Sequence, residues 1–82
     1  MLRISTETKM KPEVVIQAAA KYFTEQYGLK VKEQDEESIE LEGGGGGVAV
    51  GVKIVDKKTQ VEVVTTEWEI QVKEFMGRLK GK

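Results

Sequence analysis

The candidate site with the strongest signal in this sequence is a run of five consecutive glycines. In phosphate-binding loops, a helix and a Lys-Ser or Lys-Thr pair follow the glycines. Here the residues after the run alternate as in a strand, and the first lysine is Lys53. We therefore expect a mobile connection or a bulge, with a partner-contacting loop and an anion cradle as the alternatives. The run comprises Gly43, Gly44, Gly45, Gly46 and Gly47.

Acidic side chains form two further candidate sites. Residues 35–37, Asp-Glu-Glu, offer oxygen ligands for a hard cation, but adjacent side chains diverge and the segment fits no EF-hand pattern. Glu67 and Glu69 flank Trp68, yet two residues apart on a helix they point in different directions. We interpret the first segment as a turn and the second as helix capping. The sequence thus predicts no catalytic residue and no metal ligand.

Composition narrows the classes of function. The 82-residue chain has no cysteine and no histidine, so it lacks a thiolate nucleophile, a Ser-His-Asp triad and a His-containing zinc site. Its 13 basic and 14 acidic residues give a net charge of −1, which favours neither nucleic acid nor an anionic membrane as a partner. No apolar run approaches the roughly 20 residues that span a bilayer. We expect a cytoplasmic protein without a cofactor.

The first third of the chain predicts a strand and a helix. Residues 2–7 have the twofold alternation of a short strand, with Leu2, Ile4 and Thr6 on one side. The helix is predicted from Pro12, whose missing N–H is tolerated in a first helical turn, to Tyr27. Gly28 is a suitable stop because glycine readily adopts the left-handed conformation that ends many helices.

The middle of the chain has the twofold period of β-strands. Residues 29–32 and 39–42 predict a hairpin around the acidic turn, and residues 48–55 and 61–66 predict two further strands joined by a turn at residues 56–58. The strand at residues 48–55 is expected to place its apolar side chains on the core-facing side of the sheet. They are Val48, Val50, Val52 and Ile54.

The last element is predicted to be a helix capped by Thr65 or Thr66. Its apolar residues fall within one arc at helical spacing, which assigns that arc to the core. Ile70 lies on the opposite side and is the large apolar residue that this helix presents outward. The core-facing residues are Trp68, Val72, Phe75, Met76 and Leu79.

The order β-α-β-β-β-β-α predicts a single α+β domain over residues 1–82, a two-layer sandwich with both helices on one face of an antiparallel sheet. The early Pro-Glu helix, the meander and the closing helix that begins Thr-Glu-Trp-Glu resemble a shortened helix-grip fold of the START and polyketide-cyclase type. The resemblance implies a hydrophobic ligand between the sheet and the closing helix, but the chain lacks the additional strands and helices around that cavity. It supplies no site residue.

Five aromatic side chains are candidates for lining such a ligand pocket. Because aromatic residues dominate core burial in small domains, we interpret them as the core itself. They are Tyr22, Phe23, Tyr27, Trp68 and Phe75.

The second face of the predicted sheet is the remaining candidate surface. Its interleaved charges are typical of a solvated face, whereas a flat patch of small residues and valines permits the close approach of another surface. We expect a non-enzymatic interaction module that self-associates or binds an unknown protein partner; the alternative is a helix-grip-like ligand binder or cyclase-like enzyme. Self-association is expected through this face or an edge strand. The candidate contact residues are Ala49, Gly51, Val55, Val64 and Ile70.

Overall fold

The computed structural model describes residues 1–79, which form a five-stranded sheet and two helices. Every pair of neighbouring strands is antiparallel, so the predicted α+β class and element order are confirmed. The elements are β1 (Leu2–Thr8), α1 (Pro12–Tyr27), β2 (Lys30–Gln34), β3 (Ser38–Gly43), β4 (Gly46–Val55), β5 (Lys58–Thr66) and α2 (Glu69–Leu79).

The strand order across the sheet is β1-β5-β4-β3-β2. Strands β2 to β5 form a meander, and β1 pairs with β5, so β1 and β2 are the two edges. Helix α1 packs on β2, β3 and β4, whereas α2 packs on β1 and β5. The buried residues of the central strands, such as the cross-strand neighbours Val50 and Val63, share one face under the helices. We call the opposite face of the sheet the outer face.

Helix α1 begins and ends where the sequence predicts. Pro12 occupies the first turn, and Gly28 has a φ of 69° in the left-handed region. The N–H of Gly28 donates to the carbonyl of Thr24, and the N–H of Leu29 donates to that of Phe23. These two bonds satisfy carbonyls that the helix end would leave without partners.

Helix α2 begins later than the sequence predicts, and neither Thr65 nor Thr66 caps it. Both threonines belong to β5, where Thr65 pairs with Leu2 and Thr66 pairs with Gly47. The Thr65 hydroxyl donates to the carbonyl of Gly47 at 2.8 Å. Pairing of Thr65 with both β1 and β4, and of Thr66 with β4, therefore extends the strand through the two positions that were expected to start the helix.

Ile54, which was predicted to face the core, and Val31 of β2 are both substantially exposed. Ile54 is on the same side of β4 as Val52, but its side chain is 66% exposed because the β4–β5 hairpin extends to a turn at Asp56 and Lys57. Val31 is 42% exposed because it lies in edge strand β2, just before a register shift. The twofold period indicates on which side of the sheet each residue lies. It does not indicate how much of that side the helices cover.

The exposure of Ile54 predicts a contrast between two matched substitutions in β4. Val52→Thr places a hydroxyl at a position that is 7% exposed, so we expect a loss of about 1–3 kcal/mol in the free energy of unfolding. Ile54→Thr keeps the β-branched shape at an exposed position and should change that free energy by less than about 0.5 kcal/mol. Urea denaturation of both variants measures the difference, and equal losses would contradict the position of Ile54 outside the core.

Candidate functional site

The five glycines form the end of a tight β-hairpin, whereas the sequence predicted a mobile connection or a bulge. Gly43 ends β3 and pairs with Gly46 of β4, and Gly47 continues that strand. Gly44 and Gly45 make the turn, with φ values of 59° and 82°. Two successive positive φ angles are characteristic of a two-residue type I′ turn, whose twist matches that of the flanking strands.

Trp68 covers this glycine hairpin from the segment between β5 and α2. Its indole N–H donates to the carbonyl of Gly43 at 2.9 Å. A Cβ on Gly44 would lie 2.8 Å from the Trp68 ring, and a Cβ on Gly46 would collide with the backbone carbonyl of Thr66. Absence of a side chain is therefore a packing requirement at these two positions. The hairpin is held against the start of α2.

This geometry does not match the anion cradle considered for the glycine run. In phosphate-binding loops the N-terminus of a helix follows the glycines and supplies N–H groups to the anion. Here strand β4 follows, and its N-terminal residues pair with β3 and β5. The hairpin instead positions Trp68, which sequence analysis had assigned to the apolar stripe of a helix.

The five aromatic residues form one continuous cluster between the helices. Phe75 of α2 contacts both Tyr22 and Phe23 of α1, with ring centroids 5.4 Å apart in each pair. The cluster continues through Tyr27 to Trp68, whose ring centroids are 5.7 Å apart. Phe23 and Phe75 are buried, and the other three rings pack against the core. The rings that were considered as a pocket lining thus contact one another and the core.

The tyrosine hydroxyls lie at the outer margin of this cluster. The Tyr22 and Tyr27 oxygens are 3.4 Å apart, and the Arg78 guanidinium carbon is 5.2 Å from the Tyr22 ring centroid. Burial, with a smaller contribution from Tyr27, raises the pKa of Tyr22 to about 12. Tyr22 is therefore neutral at physiological pH.

Two of the acidic candidates make local structural bonds. A carboxylate oxygen of Asp35 accepts the N–H groups of Glu37 and Ser38, each at 2.8 Å, and these bonds lower the pKa of the Asp35 carboxyl. A carboxylate oxygen of Glu69 accepts the N–H of Glu67 at 3.1 Å. Within residues 1–79, no three acidic side chains come together in a group that could hold a metal.

The candidate contact residues lie on separate surfaces. Ala49 and Val64 are cross-strand neighbours on the outer face, and Gly51 is close to them on the same face of β4. Val55 is beside the Asp56 turn, six residues along β4 from Ala49, a span of about 20 Å in an extended strand. Ile70 is 70% exposed on α2, in the helix layer. One flat interface does not include all five residues.

The two sheet edges differ in regularity, which sequence analysis did not identify. Strand β1 pairs with β5 without a register shift through all 7 of its residues. Strand β2 has a shift between Val31 and Glu33, and its 5 residues are all exposed. Bulges and charged side chains protect edge strands against further pairing. The β1 edge, formed by Leu2–Thr8, is therefore a further candidate interaction surface.

Gly46 packs against Thr66, whereas Gly51 has open space beside it, so we expect substitution by alanine to affect stability differently at these two positions of β4. Gly46→Ala places a methyl group against a backbone carbonyl, so we expect a loss of about 1–3 kcal/mol in the free energy of unfolding. Gly51→Ala meets no atom within 4 Å, and its lower unfolded-state entropy should leave stability unchanged or raise it by about 0.4–1 kcal/mol. Thermal and urea unfolding of the pair test this contrast; equal tolerance would mean that the hairpin is not held against β5.

Trp68 offers a separate test of the hairpin contact. Trp68→Phe retains an aromatic ring but removes the bond to Gly43, which should lower the free energy of unfolding by about 1 kcal/mol. Trp68→Ala also removes the ring contacts and should cost about 3 kcal/mol. Chemical denaturation followed by far-ultraviolet circular dichroism measures the free energy of unfolding of both variants. An alanine variant as stable as the parent would show that Trp68 contributes no packing energy.

Comparison with known proteins identifies a similar fold. A solved structure, the solution structure of the Aha1 dimer from Colwellia psychrerythraea, superimposes with a TM-score of 0.59 and 14% sequence identity, covering 99% of this chain and 98% of that chain. No protein-family model and no curated protein matches the sequence. At this identity the similarity shows a shared fold alone, and the resemblance to a helix-grip fold is not confirmed.

Proposed function

We propose that this chain is a non-enzymatic interaction module that functions as a homodimer. The main support is the placement of both helices on one face of the sheet. The outer face and the β1 edge have no covering element among residues 1–79. Open sheet edges are ready surfaces for pairing with another chain, and twofold dimers are the commonest oligomers of soluble proteins.

The similar solved structure adds support because it is described as a dimer. That protein and this chain share a fold over nearly their full compared lengths. A small sheet with two helices is thus compatible with self-association in at least one protein of this shape.

The described structure favours an interaction module over a ligand binder. The aromatic rings expected to line a helix-grip pocket contact one another and the core. A groove of ≈ 450 Å³ beside Tyr22, Phe75 and Arg78 is open to solvent rather than enclosed between sheet and helix. Typical small-molecule sites bury most of the ligand surface, which an open groove on the helix layer does not achieve.

Two arrangements of a homodimer are compatible with the open surfaces. In one, the outer faces meet at Ala49, Gly51 and Val64; in the other, a sheet edge pairs with its own copy. The outer-face patch is small, and charged residues Arg3 and Glu62 occupy neighbouring positions on the same face. A standard interface covers about 800 Å² on each partner, so a dimer formed through this face would also have to include these charged side chains.

The homodimer proposal predicts a molecular mass of two chains in solution. We expect sedimentation equilibrium between micromolar and millimolar protein to show a concentration-dependent monomer–dimer equilibrium or a constant dimer mass. A constant monomer mass over this range would contradict the proposal. Hydrophobic small molecules provide the comparison: a large rise in melting temperature with such compounds, without dimerisation, would instead support a ligand-binding function.

A further inference from the structure

Strand β1 has a charge pattern that is complementary to itself in an antiparallel arrangement. Two oppositely charged residues flank Ser5 on the outer face of β1. Arg3 lies two positions before Ser5, and Glu7 lies two positions after it. When two copies of an antiparallel strand meet with Ser5 opposite Ser5, Arg3 of each copy lies opposite Glu7 of the other. Opposite charges at directly paired positions stabilise antiparallel strands.

We infer that two copies of this chain pair through their β1 strands in this register, joining the two sheets into one continuous sheet. The inference rests on the proposed homodimer function and specifies its interface. The occupant of the β1 edge is thus a second copy of the same strand. In the paired strands Leu2 lies opposite Thr8 of the second copy, and Ile4 lies opposite Thr6 of the second copy.

This register is favoured over its neighbours by both charge and length. The outer-face residues of both copies stay on the same side of the joined sheet only when the register changes in steps of two residues. Such a step in either direction places Ser5 opposite Arg3 or Glu7 and removes two residues from the paired segment. Larger steps place Arg3 opposite Arg3 or Glu7 opposite Glu7, and like charges at paired positions are destabilising.

The backbone of β1 supports a long paired segment. Its 7 residues pair with β5 in continuous register, so the strand has the regular geometry that a second ladder requires. An antiparallel ladder of this length makes roughly six to eight inter-strand hydrogen bonds. Pairing also covers part of the half-buried side chains of Leu2 and Ile4, which lie on the helix-covered face.

The other edge does not offer the same complementarity. Lys32 is at the centre of β2, so antiparallel self-pairing about that residue places two lysines opposite each other. The register shift between Val31 and Glu33 also interrupts the regular ladder. The contrast assigns the self-pairing surface to β1.

A cysteine at the predicted twofold axis tests this register directly. The chain has no native cysteine, so any disulfide in Ser5→Cys joins two copies. Directly opposed residues in an antiparallel pair have Cα atoms about 4.5–5.5 Å apart, within the range of a disulfide. We expect mild oxidation of Ser5→Cys to give a predominant covalent dimer on a non-reducing gel, with unfolding behaviour before oxidation like that of the parent.

Val64→Cys is the matched control because Val64 lies opposite Arg3 on the neighbouring strand β5. In the β1-paired dimer, two β1 strands separate the two copies of β5, placing the cysteines roughly 14 Å apart or more by the usual spacing of neighbouring strands. We expect little disulfide in this variant. Predominant cross-linking of Val64→Cys instead of Ser5→Cys would overturn β1 pairing in favour of outer-face contact, and equal cross-linking of both variants would overturn the register.

Charge exchange gives an independent test of the paired residues. Arg3→Glu and Glu7→Arg each place like charges opposite one another twice in the dimer, so we expect the dissociation constant to rise roughly tenfold. The double variant restores opposite charges and should return the constant to within about threefold of the parent value. Absence of this restoration would overturn the pairing of Arg3 with Glu7.

The mass measurement separates failure of this interface from failure of the proposed function. A parent protein that remains monomeric at all concentrations would exclude both the homodimer and β1 pairing. A dimeric parent whose Ser5→Cys variant stays dimeric but does not form a disulfide would leave the homodimer proposal intact and overturn this register. Analytical ultracentrifugation of the reduced variants at low and high salt provides the measurement.

Discussion

Burial of one face of the sheet under two separate helices is the constraint on which the structure depends. Helix α1 covers the β2 side and α2 covers the β1 side, while Phe75 joins them by contacting Tyr22 and Phe23. This division creates one apolar core from residues distant in sequence. Apolar burial is the dominant favourable contribution to folding. Because both helices cover the apolar face of the sheet, the outer face and the strand edges remain exposed.

The glycine hairpin fits this arrangement as a packing element. Gly46 passes close to the carbonyl of Thr66, and Trp68 bonds to Gly43 just before α2 begins. These contacts link the end of the β3–β4 hairpin to the end of β5. A glycine run that suggests phosphate chemistry can therefore serve a different purpose, because removal of Cβ permits both a type I′ turn and close contact between backbone segments.

The proposed homodimer would use the part of the fold that the helices leave open. Strand β1 is covered by α2 on one face but remains at a sheet edge, and its side chains alternate between the core-facing side and the outer face. Edge pairing would extend the sheet without displacing either helix. It would also leave the aromatic cluster intact, so recognition and core packing would involve largely separate residues.

The sequence by itself determined the element order, the bounds of α1 and the turn at residues 35–37, because these depend on local signals: Pro12, Gly28 and the bonding capacity of Asp35. It also identified Val48, Val50 and Val52 of β4 as core-facing residues from the twofold period. Tertiary structure decided that Thr65 remains in a strand, that Ile54 lies outside the helix layer and that Val64 and Ile70 occupy different surfaces. It also placed β1 beside β5 and exposed its other edge. These outcomes depend on strand order and on how far the helices extend over the sheet. Residue periodicity indicates which side of a strand or helix a residue occupies, but not which other element lies against that side.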